Sequence, residues 1–223
     1  MAVAANFTDA AKEIAGAFQK QTGHAALLSF GSSGQLFTQI QQGAPFEVLL
    51  SADRERPEQA VAQGLALADS RFTYAIGKLV LWSRSPELIQ GEGTLKAGRF
   101  TKLALANPET APYGAAAVEV LKALAVHTAL VPKLVQGNSI AQAFQFVETG
   151  NAELGFVALS QLTGSSAGSR WLVPQSLYTP IRQDAVLLKT GADNAAASAF
   201  LNFLKGPQGR ALIEKYGYAT EPE

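Results

Sequence analysis

The chain has 223 residues, 48% of them hydrophobic, enough to bury one large core or two modest ones. Lysine plus arginine and aspartate plus glutamate both total 18, so there is no net charge and no basic stripe of the kind nucleic acid requires. Cysteine is absent, which excludes disulfides, thiolate metal sites and cysteine nucleophiles, and apolar runs such as Leu79-Val80-Leu81-Trp82 fall far short of the roughly 20 residues of a membrane-spanning helix.

Val3-Ala4-Ala5 reads as the end of a short strand, with Asn6 and Thr8 as caps of a helix whose apolar positions are Ala11, Ile14, Ala15 and Phe18 and whose stop is Gly23. No charged region, apolar core and cleavage site precede it, so this end reads as a cytosolic protein or as a mature form with a new initiator methionine. Ala25 to Phe30 is a non-alternating apolar run, the pattern of a strand buried on both faces. Ser29-Phe30-Gly31-Ser32-Ser33-Gly34-Gln35 then turns into a second helix, with Leu36, Phe37 and Ile40 on its buried face, Gly43 as its stop and Pro45 preventing continuation. Phe46 to Leu50 is a third strand.

Strand, helix, strand, helix, strand is the pattern of a parallel sheet with right-handed crossovers, and ligands of such sheets sit beyond the carboxyl ends of the strands. Ala5-Asn6 and Ser32-Ser33 occupy two such ends. Free backbone N–H groups, positive helix-dipole ends and two serine hydroxyls make this a candidate anion seat. Serine, glycine and asparagine are also ordinary turn and cap residues, and on this stretch alone both readings stand.

Pro57 suits the first turn of a helix running through Ala60 and Val61 to Gly64, and Lys78 to Ser83 is an apolar strand. Ser85-Pro86, Gly91-Glu92-Gly93 and Gly98 mark a loop-rich passage and a change of domain. A second α/β cycle follows. Leu103 to Ala106 is a strand, and Asn107 to Gly114 a turn whose two prolines cannot sit inside a helix; the helix after it should bury Val118, Leu121 and Leu124. Leu134-Val135 is a brief strand, Asn138-Ser139 caps a helix carrying Ile140, Ala143, Phe144 and Val147, and Leu154 to Leu159 is a buried strand. Trp171 to Val173 and Ala185 to Leu188 read as two more strands, the second returning to the first lobe, and two closing helices meet at Gly206-Pro207. Two similar cycles imply two lobes and a cleft.

Ala4-Ala5-Asn6-Phe7-Thr8, Phe30-Gly31-Ser32-Ser33-Gly34, Gln42-Gly43-Ala44-Pro45, Ser51-Ala52-Asp53, Tyr74 to Trp82, Asn107-Pro108-Glu109, Pro112-Tyr113-Gly114 and Leu154-Gly155-Phe156-Val157 occur in an order that spans nearly the whole chain. This ordered set resembles the periplasmic molybdate-binding proteins of ABC transporters. The resemblance implies an α/β, two-lobed periplasmic binding protein fold of type II, each lobe a mixed, mostly parallel sheet flanked by helices. Lobe 1 is expected over 1–82 plus 188–223 and lobe 2 over 83–187, with the ligand cleft between them. It implies no catalysis and no cofactor. The ligand is a tetrahedral oxyanion, molybdate or tungstate, with its metal bound only as the oxyanion and not ligated by the protein. The implied partner is an inner-membrane ABC permease, the location the periplasm and the state a monomer.

Carried over by motif, the first lobe's contacts fall on Ala5, Asn6 and Ser33, with Ser32 beside them, and the second lobe's on Tyr113 and the backbone of Val157. Many members of the family put a small residue where Tyr113 stands and a tyrosine on the strand returning to the first lobe. Here that return carries Gln183-Asp184, which resembles a subgroup in which Tyr113 supplies the phenol; Gln183 is a secondary candidate. The first strand is shorter at its start than in mature members, which implies a trimmed N-terminus. A fully ionised oxyanion offers only acceptors, so donors without carboxylates suit it.

Two alternatives remain. One is a binding protein for sulfate or another small anion. The other is a serine hydrolase, but Gly31-Ser32-Ser33-Gly34 is not a Gly-x-Ser-x-Gly elbow, since Gln35 stands two after Ser33. The two histidines, His24 and His127, match no triad or metal spacing and read as surface residues.

Overall fold

A computed structural model describes residues 1–221. The chain divides into two units, Met1–Gly77 with the segment from Arg182 onward, and Lys78–Ile181. The elements in order are β1 (Ala2–Ala4), α1 (Thr8–Thr22), β2 (Ser29–Gly31), α2 (Ser33–Gln41), β3 (Val48–Leu50), α3 (Glu55–Ala62) and β4 (Phe72–Gly77). The second unit holds β5 (Leu79–Ser83), α4 (Gly93–Ala97), β6 (Leu103–Ala106), α5 (Pro112–Ala123), α6 (His127–Leu130), β7 (Leu134–Gly137), α7 (Ile140–Glu148), β8 (Leu154–Ala158) and β9 (Ser169–Leu172). The chain then returns through β10 (Ile181–Leu187) to α8 (Ala195–Lys205) and α9 (Pro207–Lys215). No single helix among the described residues is long and apolar enough to cross a membrane.

Each unit is built on a mixed five-stranded sheet, ordered β2-β1-β3-β10-β4 in the first and β7-β6-β8-β5-β9 in the second. In the first, β1 runs parallel to β2 and β3, and β10 antiparallel to β3. In the second, β6 runs parallel to β7 and β8, while β5 runs antiparallel to β8 and β9. Successive residues of a strand face opposite sides of its sheet. Val3 and Leu50 accordingly join Phe7, Ile14, Phe18, Phe200 and Leu204 in one core, and Ala2 and Leu49 join Leu36, Phe37, Ile40 and Val186 in the other. The second unit's core includes Val80, Trp82, Ala104, Val147 and Val157, with Phe144 stacked 5.0 Å from Trp82.

Several expectations change. The run from Ala25 to Phe30 is not a doubly buried strand. Only Ser29–Gly31 pairs, at the sheet edge, and Leu27 is 81% exposed. Hydrophobicity without alternation described a solvent-facing approach to an edge. The strand β4 had no counterpart in the reading, because Phe72–Gly77 mixes glycine, threonine and half-buried positions. Helix α5 begins at Pro112, where a missing N–H costs nothing, so one of the two prolines opens the helix instead of preceding it. Its buried face is Tyr113, Ala116, Ala117, Val120 and Leu121, while Val118 and Leu124 are only half-buried. The crossings between units fall at Gly77/Lys78 and Ile181/Arg182, before the expected 82/83 and 187/188. All of β5 pairs with β8 and β9 in the second unit, and β10 pairs with β3 in the first.

Candidate functional site

In the first unit the parallel strands β1 and β2 both end in helix starts. After β1, Ala5–Phe7 forms one turn of 3-10 helix that runs into α1. After β2, Ser32 is the N-cap of α2, accepting from Gln35 N at 3.4 Å while the Gln35 side chain accepts from Ser32 N. This is a capping box, and it makes Ser32 the cap and Ser33 the first helical residue. Ser33 has a different task. Its Oγ accepts from Ala52 N at 2.9 Å, and the side chain is almost fully buried. A hydroxyl anchored as an acceptor keeps its own proton to donate. Ala5, Asn6, Ser32 and Ser33 are all buried, and the register Ala4↔Gly31 sets the ends of β1 and β2 side by side. The first N–H groups of a helix have no partner within it, so two sets of backbone donors arise at adjacent strand ends.

Asn6 is tied from behind. Its amide donates to Gln183 Oε1 at 2.9 Å and to the Tyr218 hydroxyl at 3.0 Å. The Tyr218 hydroxyl in turn donates to the Asn6 carbonyl oxygen at 2.7 Å. The Tyr74 hydroxyl lies 3.1 Å from both Gln183 Oε1 and the Ser51 carbonyl. Burial first, then the proximity of Tyr218, Asp184 and Asp53, pushes the Tyr74 phenol well above its ordinary range, so it stays a neutral donor. Gln183 is fully buried within this network, which makes it a support for Asn6. The Asn6 amide, read from sequence as an anion donor, already has two interior acceptors; what Asn6 offers an anion is its place at the helix start.

The nearby carboxylates are spoken for. Asp184 faces Arg71 at 2.6 Å and Thr73 Oγ1 at 2.7 Å, and Asp53 is held by Ser51 Oγ at 2.9 Å and by Arg56. Among the described residues no group of three or more His, Asp or Glu side chains could hold a metal ion. His24 is exposed and His127 half-buried.

The second unit repeats the plan. After β6, Tyr113 is the second residue of α5 and almost fully buried. Helix α5 sits so close to β6 that a Cβ on Gly114 would lie 2.2 Å from the Ala106 carbonyl oxygen. After β7, Ser139 caps α7 by accepting from Gln142 N at 3.3 Å, and Ile140 is its first residue. Val157 is placed differently. It lies inside β8 opposite Val80 of β5, and Leu159 N donates to Lys78 O at 3.0 Å two residues further along the same register. Hydrogen-bonded pairs recur every second residue in an antiparallel ladder, so the Val157 N–H is turned toward β5. The expectation that Val157 contributes a backbone donor to the anion therefore rests on the family resemblance and not on this ladder. The donors that correspond in position to Ser32-Ser33 are those at the start of α7, and the Asn138-Ser139 cap after a short strand was their sequence signal.

The profile of the bacterial extracellular solute-binding proteins matches residues 1–219. The molybdate-binding protein ModA of Rhodobacter capsulatus is 57% identical over 220 residues, covering 99% of this chain and 87% of that one. ModA of Azotobacter vinelandii is 56% identical over 228 residues, covering 99% and 89%. The solved structure of an Azotobacter vinelandii periplasmic molybdate-binding protein superposes with a TM-score of 0.95 at 44% identity, covering 99% of each chain. With that identity along essentially its full length, the chain belongs to the bacterial extracellular solute-binding protein family, in its ModA branch.

Proposed function

We propose that this protein binds molybdate, and also tungstate, as the periplasmic solute-binding component of an ABC importer, and that it catalyses no reaction. The observation that carries the reading is the repeated placement of helix starts at the ends of parallel strands, β1 and β2 in one unit and β6 and β7 in the other, with Ser33 anchored so that its proton remains to be given. The relatives' function supports it.

In the first unit the proposed donors are the backbone N–H groups near Ala5, Asn6 and Ser33 and the Ser33 hydroxyl; in the second they are the Tyr113 phenol and the N–H groups opening α5 and α7. A dianion is costly to desolvate, and hydrogen bonds to a charged group are worth about 1.5–3 kcal/mol each, so six or seven offset it without lysine or arginine. A seat without a carboxylate also disfavours hydrogen phosphate, whose proton is best met by a charged acceptor. The liganded form is the one delivered to a membrane permease. The protein acts as a monomer in this scheme.

Calorimetric titration and melting shifts with molybdate, tungstate, sulfate and phosphate test the reading. Ligand at a hundred times its dissociation constant should add about 2.7 kcal/mol of stability. Molybdate and tungstate should do so at far lower concentration than sulfate. Equal stabilisation by sulfate would shift the assignment to a general tetrahedral anion.

A further inference from the structure

The turn that follows β1 is held by a residue near the other end of the chain. Tyr218 accepts from the Asn6 amide at 3.0 Å and donates to the Asn6 carbonyl at 2.7 Å, so one hydroxyl grips both the side chain and the main chain of one residue. A trans peptide carries its N–H opposite its C=O. Fixing the Asn6 carbonyl on Tyr218 therefore also fixes the direction of the next N–H, that of Phe7. The Phe7 ring meets Tyr74 at 4.9 Å and Tyr218 at 5.3 Å, both edge to face, which keeps the phenol from swinging away. The segment carrying Tyr218 is itself pinned: Ile76 N donates to Ala219 O at 2.7 Å and Ala219 N to Ile76 O at 3.0 Å, one residue before the crossing at Gly77.

We propose that Tyr218 is a positioning residue for the anion seat, setting the orientation of the Ala5–Phe7 turn before the ligand arrives. The inference rests on the oxyanion reading above. Donors held in place need no reordering on binding, so the benefit appears as affinity. The grip is neutral, and adds no charge that would compete with the anion. Gln183 and Tyr74 complete it, through Gln183 Oε1 on the Asn6 amide and the Tyr74 hydroxyl on Gln183.

The test is calorimetric titration with sodium molybdate on wild type, Tyr218→Phe and Tyr216→Phe, each with a melting curve. Tyr216→Phe is the structural control, since its hydroxyl donates to Glu13 at 2.8 Å in the same C-terminal region, away from Asn6. Tyr218→Phe should weaken molybdate about tenfold, because the Ala5–Phe7 turn must then be ordered on binding, with Tyr216→Phe near wild type. Amide NMR should show the Asn6 and Phe7 signals moved in unliganded Tyr218→Phe. No binding by wild type would sink the oxyanion reading. Wild-type binding with unchanged affinity in Tyr218→Phe would overturn the positioning role alone. Should Tyr218→Phe not fold, wild-type amide NMR decides: Asn6 and Phe7 signals that are sharp and protected from exchange before molybdate is added support the proposal, and signals that stay broadened until it is added overturn it.

Discussion

Ser33 Oγ accepts a 2.9 Å hydrogen bond from the backbone N–H of Ala52, so the serine at the start of α2 is braced against the end of β3. That bond gives Ser33 two roles, one structural and one toward ligand. Ser33→Ala strands a buried N–H, and should lower the stability of the unliganded protein by about 1–3 kcal/mol while also weakening molybdate binding. Melting curves with and without molybdate separate the two. An unliganded melt equal to wild type would mean that the Ala52 bond contributes nothing.

Tyr113→Phe keeps the ring in the buried first turn of α5 and removes only the hydroxyl. Molybdate affinity should fall about tenfold, in line with one hydrogen bond to an anion. Titration calorimetry reads this directly, and wild-type affinity would remove Tyr113 from the seat.

Gly114→Ala places a methyl 2.2 Å from the Ala106 carbonyl, against backbone that cannot yield as a side chain does. Overpacking of this kind costs about 1–3 kcal/mol or more, and here it pushes α5 off the end of β6. The variant should melt earlier and bind molybdate less tightly. A melt within error of wild type would show that the helix can move without loss.

Glu153 gives a pH dependence. Its carboxylate accepts from Thr101 N at 2.8 Å and Lys102 N at 2.7 Å, joining the starts of β6 and β8. Burial pushes its pKa up, but these donors outweigh it and hold the group below its ordinary 4.5. A folded-state value below the unfolded one means a contribution that is present above the unfolded pKa and lost as pH falls through the folded one. Glu153→Gln should therefore melt below wild type at neutral pH, and the gap should close in acid. A gap that stays constant down to about pH 3 would count against this linkage.

The helix-forming residues were legible because capping and periodicity are local. Gly23, Gly43, Gly150 and Gly206-Pro207 marked helix ends, and the Ser139 cap lies where the sequence placed it. Strands were read less well, since β2 and β4 owe their existence to neighbours. Leu27, just before β2, and Phe30, within this edge strand, are hydrophobic yet exposed, so their apolar character alone did not place them in a core.

By itself the sequence determined the alternation of most elements and the ordered motifs that carry the family likeness. Tertiary structure alone decided which donors face where. Ser32 and Ser33 are adjacent and chemically alike, yet one caps α2 and the other braces Ala52. Val157 stands in a ladder, and the Asn6 amide turns inward to Gln183 and Tyr218, 177 and 212 residues away. The physical reason is that a hydrogen bond depends on direction and distance across the fold, whereas a motif records only which groups are available.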